Sequence, residues 1–233
     1  TTGHSFGEIK GGGRILLSAD NFPGGDASHF YTDGEGEGTV RYYGNSYTLN
    51  TSLEFYKLEI ILDNSANQLT LMQDYTINGD FLVHTGEFQI NDNSSTTNLN
   101  ITCYGNVDVE VNGKILTGSA NARHQFNMYG DFTNDGTVEF TNRVAANYTS
   151  EANDGIVDAN FLSDDSNQDV LCNGTTNFYR IEIDKGTDPT YVLDVKSTAA
   201  GNFNLFGYAN QSHASVAQLD DGAGAANQRN PNS

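Results

Sequence analysis

Between residues 75 and 132 the chain repeats one phrase three times: Tyr75-Thr76-Ile77-Asn78-Gly79-Asp80-Phe81, Ile101-Thr102-Cys103-Tyr104-Gly105-Asn106-Val107 and Phe126-Asn127-Met128-Tyr129-Gly130-Asp131-Phe132. Alternation of period two marks a strand with one face turned inward, and a glycine at its end permits a bend where a side chain would clash. Aligned on the glycines, Tyr75, Ile101 and Phe126 form one inward column, Ile77, Cys103 and Met128 a second, and Phe81, Val107 and Phe132 a third. A further turn glycine follows each copy, at Gly86, Gly113 and Gly136, and Asn112-Gly113 and Asp135-Gly136 are strong turn pairs. Strands then resume as Glu87-Phe88-Gln89-Ile90, Lys114-Ile115-Leu116 and Thr137-Val138-Glu139-Phe140.

Outward from this stretch, the pattern apolar-x-apolar-x-Gly ends at six glycines, Gly44, Gly79, Gly105, Gly130, Gly174 and Gly207, read as structural repeat positions. Their spacings are 35, 26, 25, 44 and 33 residues. A repeat near 25 residues, built of short strands and Gly/Asn/Asp corners, predicts an all-β fold: a parallel β-helix (β-solenoid) with coils of about 25 residues and loop excursions. Identical columns then bury a narrow core, and strands about 4.8 Å apart place seven or eight coils within roughly 35 Å. The longer intervals predict loops leaving the coil, such as Arg143 to Asp158, and stacked Asn side chains are expected to bond in ladders. The competing reading is an antiparallel β-sandwich of hairpins, which also has short alternating strands, but a sandwich does not demand a near-constant period.

A longer-range match joins Phe55-Tyr56-Lys57-Leu58-Glu59-Ile60 to Phe178-Tyr179-Arg180-Ile181-Glu182-Ile183, 123 residues later, and suggests a larger unit followed by the start of another. The expected division is N-terminal Gly-rich coils over 1–50, β-solenoid repeats over 51–208, and an irregular tail or linker over 209–233.

Composition narrows the function. The 233 residues carry 11 Lys+Arg against 30 Asp+Glu, a formal charge of −19. Binding a phosphate backbone needs a basic stripe, so nucleic acid is excluded as a partner, and anionic membrane surfaces are disfavoured. No run approaches the roughly 18 apolar residues of a membrane helix, so no membrane insertion is expected. The chain starts Thr1-Thr2-Gly3, without initiator Met or signal-peptide pattern, and reads as a segment of something larger or a processed mature chain. Cys103 and Cys172 show no metal or redox spacing and read as small buried hydrophobes.

Three segments carry a family resemblance: Asn21-Phe22-Pro23-Gly24-Gly25-Asp26, Gly38-Thr39-Val40-Arg41-Tyr42-Tyr43-Gly44-Asn45-Ser46-Tyr47-Thr48-Leu49, and Phe55-Tyr56-Lys57-Leu58-Glu59-Ile60. They resemble the repeat regions of very large secreted surface proteins of Bacteroidota, which look like type IX secretion cargo and include adhesins of gliding bacteria. The resemblance covers roughly residues 15 to 207, and a C-terminal secretion domain is not recognisable within it. It implies an extracellular, cell-surface location and a stalk, adhesin or filament role.

Candidate chemistry is sparse. Tyr43, Tyr104, Tyr129 and Phe206 each precede a motif glycine and so point away from the core column, which makes them candidate contact aromatics for sugars or a neighbouring subunit. Asp164, Asp165, Asp220 and Asp221 are weak candidate metal ligands, since calcium takes six to eight oxygens and tolerates loops. Calcium is thus a possible ligand, and no other cofactor is expected. The five His show no zinc spacing and read as surface polar residues. The bases Lys57, Lys114, Arg123 and Arg180 are scattered, which argues against a polysaccharide-cleaving site. The expected function is therefore that of a non-enzymatic extracellular structural or adhesive repeat protein. Its expected partners are other copies or neighbouring domains of the same surface protein, with surface glycans as a further possibility. The alternative is a polysaccharide-active or carbohydrate-binding β-helix module.

Overall fold

The structure, a computed structural model, describes residues 6–20, 22, 24–31, 36–51, 53–144, 155–188, 190–207 and 217–220, the last four and Leu53 by their backbone. The first strand is β1 (Arg14–Leu17). The chain then makes two passages of three strands each, β2 (Thr39–Gly44), β3 (Tyr47–Leu49), β4 (Leu53–Phe55) and β5 (Lys57–Leu62), β6 (Gln68–Leu71), β7 (Tyr75–Ile77). In the next two passages the first two strands run together, giving β8 (Phe81–Ile90) with β9 (Asn100–Cys103) and β10 (Val107–Thr117) with β11 (Arg123–Met128). Three separate strands return in β12 (Phe132–Asn134), β13 (Thr137–Glu139), β14 (Ile156–Phe161) and in β15 (Gln168–Cys172), β16 (Thr175–Phe178), β17 (Arg180–Asp184). The last passage is β18 (Leu193–Ser197), β19 (Phe203–Leu205) and β20 (Ala217–Asp220).

Every pairing among these strands is parallel and joins equivalent strands of successive passages. Three ladders result. The first is β1-β2-β5-β8-β10-β12-β15-β18, the second β3-β6-β8-β10-β13-β16-β19, and the third β4-β7-β9-β11-β14-β17-β20. The first two form one sheet because β8 and β10 belong to both. The molecule is thus almost entirely β with parallel sheets, and the antiparallel hairpins of a sandwich are not its plan.

Register confirms the columns. Phe81, Val107 and Phe132 are direct partners in the first ladder, and Tyr75-Ile101-Phe126 and Ile77-Cys103-Met128 are partners in the third. Inward residues of all three ladders join one hydrophobic cluster. Phe178 ties it together in the later passages, with ring centroids 5.6–6.4 Å from Phe132, Phe140, Phe161 and Phe203. Such pairs add about 0.5–1.5 kcal/mol each beyond the area they bury. The expected Asn ladders are present on the outer face: Asn127 Nδ2 donates to Asn100 Oδ1 at 2.7 Å and Asn160 Nδ2 to Asn127 Oδ1 at 2.9 Å. The corner after the third ladder is bonded in the same way. Asp80 Oδ1 accepts from Asn106 N, Asn106 Oδ1 from Asp131 N, and Asp131 Oδ1 from Asp169 N.

The six motif glycines do not share one column. Gly79, Gly105 and Gly130 stack at the corner between the third ladder and the first. Gly174 stacks instead on Gly136, in line with Gly113, at the corner between the first and second ladders. Gly44 ends β2 of the first ladder and pairs with Leu62, and Gly207 follows β19 of the second. The reason is that each ladder uses the same alternating strand, so a five-residue pattern marks a strand end without saying which face it ends. The match of Phe55–Ile60 with Phe178–Ile183 has the same origin. Phe55 closes a third-ladder strand before β5 of the first, whereas Phe178 closes a second-ladder strand before β17 of the third. The two cysteines are buried on different ladders, Cys103 on the third and Cys172 on the first.

The ladders run across residue 50 without a break, from β2 to β5 and from β3 to β6. Residues 217–220, inside the stretch expected to be irregular, form β20 and pair Ile181 with Ala217. His124, expected at the surface, is fully buried on the inward side of β11.

Candidate functional site

Two of the four candidate aromatics meet. Tyr104 follows Cys103 at the end of β9 and Tyr129 follows Met128 at the end of β11; their preceding residues point inward, so both rings point out. Their centroids lie 4.8 Å apart at an interplanar angle of 29°, close to the spacing of parallel strands. Tyr104 is 51% exposed and Tyr129 half-buried. Tyr43 lies apart on β2 of the first ladder, and Phe206 follows β19, half-buried, its carbonyl accepting from Arg143 Nη1.

The stack ends because the corner beyond it changes. From the last inward residue of the third ladder to the residue of the Phe81–Val107–Phe132 column in the next passage is four positions at Ile77–Phe81, Cys103–Val107 and Met128–Phe132. From Phe161 to Val170 it is nine, and from Ile183 to Val195 twelve. The tight Tyr-Gly-Asx corner therefore gives way to two longer Asp-rich loops. Leu162 takes the ladder position after Tyr129, with its N–H on Met128 O, and Asp184 takes the next.

A surface depression of about 450 Å³ opens there, lined by Tyr129, Leu162, Asp164, Asp184, Gly186, Thr187 and Asp188. Gly186 has φ +62, and a Cβ on it would stand 3.0 Å from Asp164 Cβ, so a glycine lets the two loops touch. Behind them, Lys185 is buried and donates to Gln168 Oε1 at 3.0 Å. Gln168 Nε2 in turn donates to Met128 O and Gly130 O. This chain fastens the loop of Asp184 and Asp188 to the corner that carries Tyr129.

The lining is mainly acidic, with the Lys185 ammonium close enough to Asp164 and Asp184 to interact with both. Among the described residues Asp164, Asp184 and Asp188 take part in no ion pair. Asp184 Oδ1 accepts from Gly186 N, and Asp188 Oδ1 accepts from Thr190 N and Oγ1. Those bonds hold the Asp188 carboxyl below its ordinary pKa. Burial, then the nearby Tyr104, Asp164 and Asp184, push the Tyr129 phenol upward, and burial lowers the Lys185 ammonium.

Of the candidate metal ligands, Asp164 faces this depression while Asp165 Oδ1 accepts from Ser163 Oγ, so the two serve different neighbours. Asp220 is described by backbone alone and Asp221 lies outside the described residues. Among the described residues no three His, Cys, Asp or Glu are grouped to hold a metal ion. The four bases are all engaged elsewhere: Lys57 with Asp80, Lys114 with Glu87, and Arg123 and Arg180 with Asp158. Leu162, Asp184, Thr187 and Asp188 were not legible as site residues. The available signal was the pair of runs Asp164-Asp165-Ser166-Asn167 and Asp184-Lys185-Gly186-Thr187-Asp188, two turn-forming stretches 20 residues apart.

No protein-family model matches the chain, and neither the curated proteins nor the solved structures contain a match to it.

Proposed function

We propose that the chain is a β-solenoid segment of a non-enzymatic extracellular surface protein, acting as a stalk, filament or adhesin segment. The observation that carries this reading is that three parallel ladders pass through the same successive turns of chain and share one core. In such an arrangement each coil is held by its two neighbours, so stiffness comes from backbone ladders and the outer faces are free to vary. The last passage supports a further contact along the axis: Val192 and Val195 are 52% and 42% exposed on or beside β18. A coil with that exposure is suited to stacking on a neighbouring domain or another copy. The resemblance to repeat regions of secreted Bacteroidota surface proteins supports an extracellular location and an adhesive role.

Electron microscopy of the native material, with the mass of the intact chain measured alongside, tests the reading. Rods or filaments built from a chain well above 25.2 kDa are expected. A compact particle formed by a 25.2 kDa chain would overturn it.

A further inference from the structure

We propose that the depression beside Tyr129 binds a sugar residue of a neutral or amine-bearing glycan, packed against the apolar wall that Tyr129 and Leu162 form. One face of the Tyr129 ring is covered by Tyr104 at 4.8 Å. The position that a third ring would take along the ladder belongs to Leu162, where the chain leaves the tight corner, and the 450 Å³ space opens on that side. A pyranose presents a face of C–H groups that complements an aromatic ring and an aliphatic side chain, so it packs against Tyr129 and Leu162 where they line the space. The volume falls within the range of about 300–1,000 Å³ found for small-molecule sites.

The polar groups suit hydroxyls. Asp164 and Asp184 offer carboxylate oxygens, and Thr187 a hydroxyl that donates or accepts. Bonds from sugar hydroxyls to carboxylates are charge-assisted and correspondingly strong. Three carboxylates line the site against one buried ammonium, Lys185, which interacts with Asp164 and Asp184, so the remaining negative charge repels uronates and sulfated sugars and favours a protonated amine. The Lys185–Gln168 link to Met128 O and Gly130 O holds the loop in place before a ligand arrives, which lowers the ordering cost of binding. The assignment goes beyond the rod reading: microscopy reports the rod and titration reports the site, so either can fail alone.

The test is calorimetric titration of the whole chain with five pentasaccharides: β-1,4-glucan, β-1,3-glucan, β-1,4-mannan, β-1,4-glucosamine and α-1,4-galacturonate. At least one of the first four is expected to bind in the micromolar to millimolar range, and galacturonate not to bind. A lead for the glucosamine oligomer would show that the amine is selected, and a lead for a glucan or mannan that the ring face is. Tyr129→Ala should weaken binding roughly tenfold, while Tyr43→Ala, an exposed ring on another ladder, should leave it unchanged. Thr187→Val, which keeps size and removes the hydroxyl, gives a second variant should Tyr129→Ala fail to fold. No binding by any of the four at 10 mM of ligand (roughly the weakest useful affinity), equal binding of galacturonate, or unchanged binding in both site variants would overturn the proposal.

Discussion

Adding one methyl group at Gly105 should be among the most damaging small changes in this molecule. Gly105 stands over Gly79 and under Gly130, and a Cβ there would lie 2.4 Å from Gly79 C, 2.6 Å from Gly79 O and 2.7 Å from Asp80 N. All three are backbone atoms, so no side chain can swing aside. Bringing the methyl to ordinary contact near 3.4 Å requires the two passages of chain to part by about 1 Å at the corner. Overpacking of this kind costs about 1–3 kcal/mol. The same shift stretches the Gly105 N to Gly79 O bond, now 3.1 Å, whose net worth is about 0.5–1.5 kcal/mol. Gly105→Ala should therefore cost about 2–4 kcal/mol, or a fall in Tm of about 5–15 °C for a chain of this size. Gly13→Ala is the control, since its Cβ would meet nothing within 4 Å and its φ is not positive. There the loss of unfolded-state freedom should leave stability unchanged or raise it by up to about 1 kcal/mol. Urea unfolding followed by circular dichroism measures both. A cost below 1 kcal/mol for Gly105→Ala, or equal costs at the two positions, would refute the stacked-corner account.

Three further outcomes follow from buried groups. His124 accepts the Leu99 N–H on Nδ1, and burial lowers its pKa to about 4 from 6.5; the unfolded chain binds this proton first, so stability should fall as pH drops from 6.5 to 4, by roughly 3 kcal/mol in all, and stay level above 6.5. Urea midpoints of the wild type and His124→Gln across that window should differ in slope, and parallel curves would count against it. Asp158 is fully buried and accepts from Arg123 Nε at 2.7 Å, Gln125 Nε2 at 3.0 Å and Arg180 Nη2 at 3.4 Å. Asp158→Ala removes the buried acceptor shared by Arg123, Gln125 and Arg180, leaves Arg180 with Glu182 at 3.3 Å, and should cost about 3 kcal/mol in the same assay, against which a loss under 1 kcal/mol would argue. Cys103 and Cys172 should resist iodoacetamide at pH 8 in the native chain and react fully in urea, because both are buried and burial pushes the Cys103 thiol up to about 12; rapid native alkylation, read by mass spectrometry, would contradict this.

What the sequence made legible was whatever recurs at fixed spacing. Tyr75, Ile101 and Phe126 could be aligned because their corners are of one length, and the structure pairs them in register. The same logic failed for Gly174, whose strand repeats the local pattern on another ladder: period two reports alternation and is blind to which of three faces is alternating. His124 was read as polar and exposed because a residue name carries no burial; its inward place follows only once Phe126 and Met128 fix the parity of β11. The strand at 217–220 escaped because Ala217-Gln218-Leu219-Asp220 has too little apolar character to stand out, and its pairing with β17 defines it.

The candidate site was half legible for a related reason. Tyr104 and Tyr129 belong to the repeat, so parity alone turned them outward and equal corners brought them together. Asp184, Thr187 and Asp188 belong to no repeat, because they sit where twelve positions replace four between Ile183 and Val195. A stack of equivalent corners covers each ring with the next, and after Tyr129 the next ladder position holds Leu162, an aliphatic side chain in place of a ring. Tyr104 lies on one side of Tyr129, and on the other Leu162 and the two Asp-rich loops line the space. Shortening the Phe161–Val170 connection to the four-position form, with Tyr at 162, should therefore extend the stack by a third ring, fill the depression and abolish glycan binding while leaving the ladders intact. Retained binding in that deletion variant, with native circular dichroism, would show that the sugar-binding surface lies elsewhere.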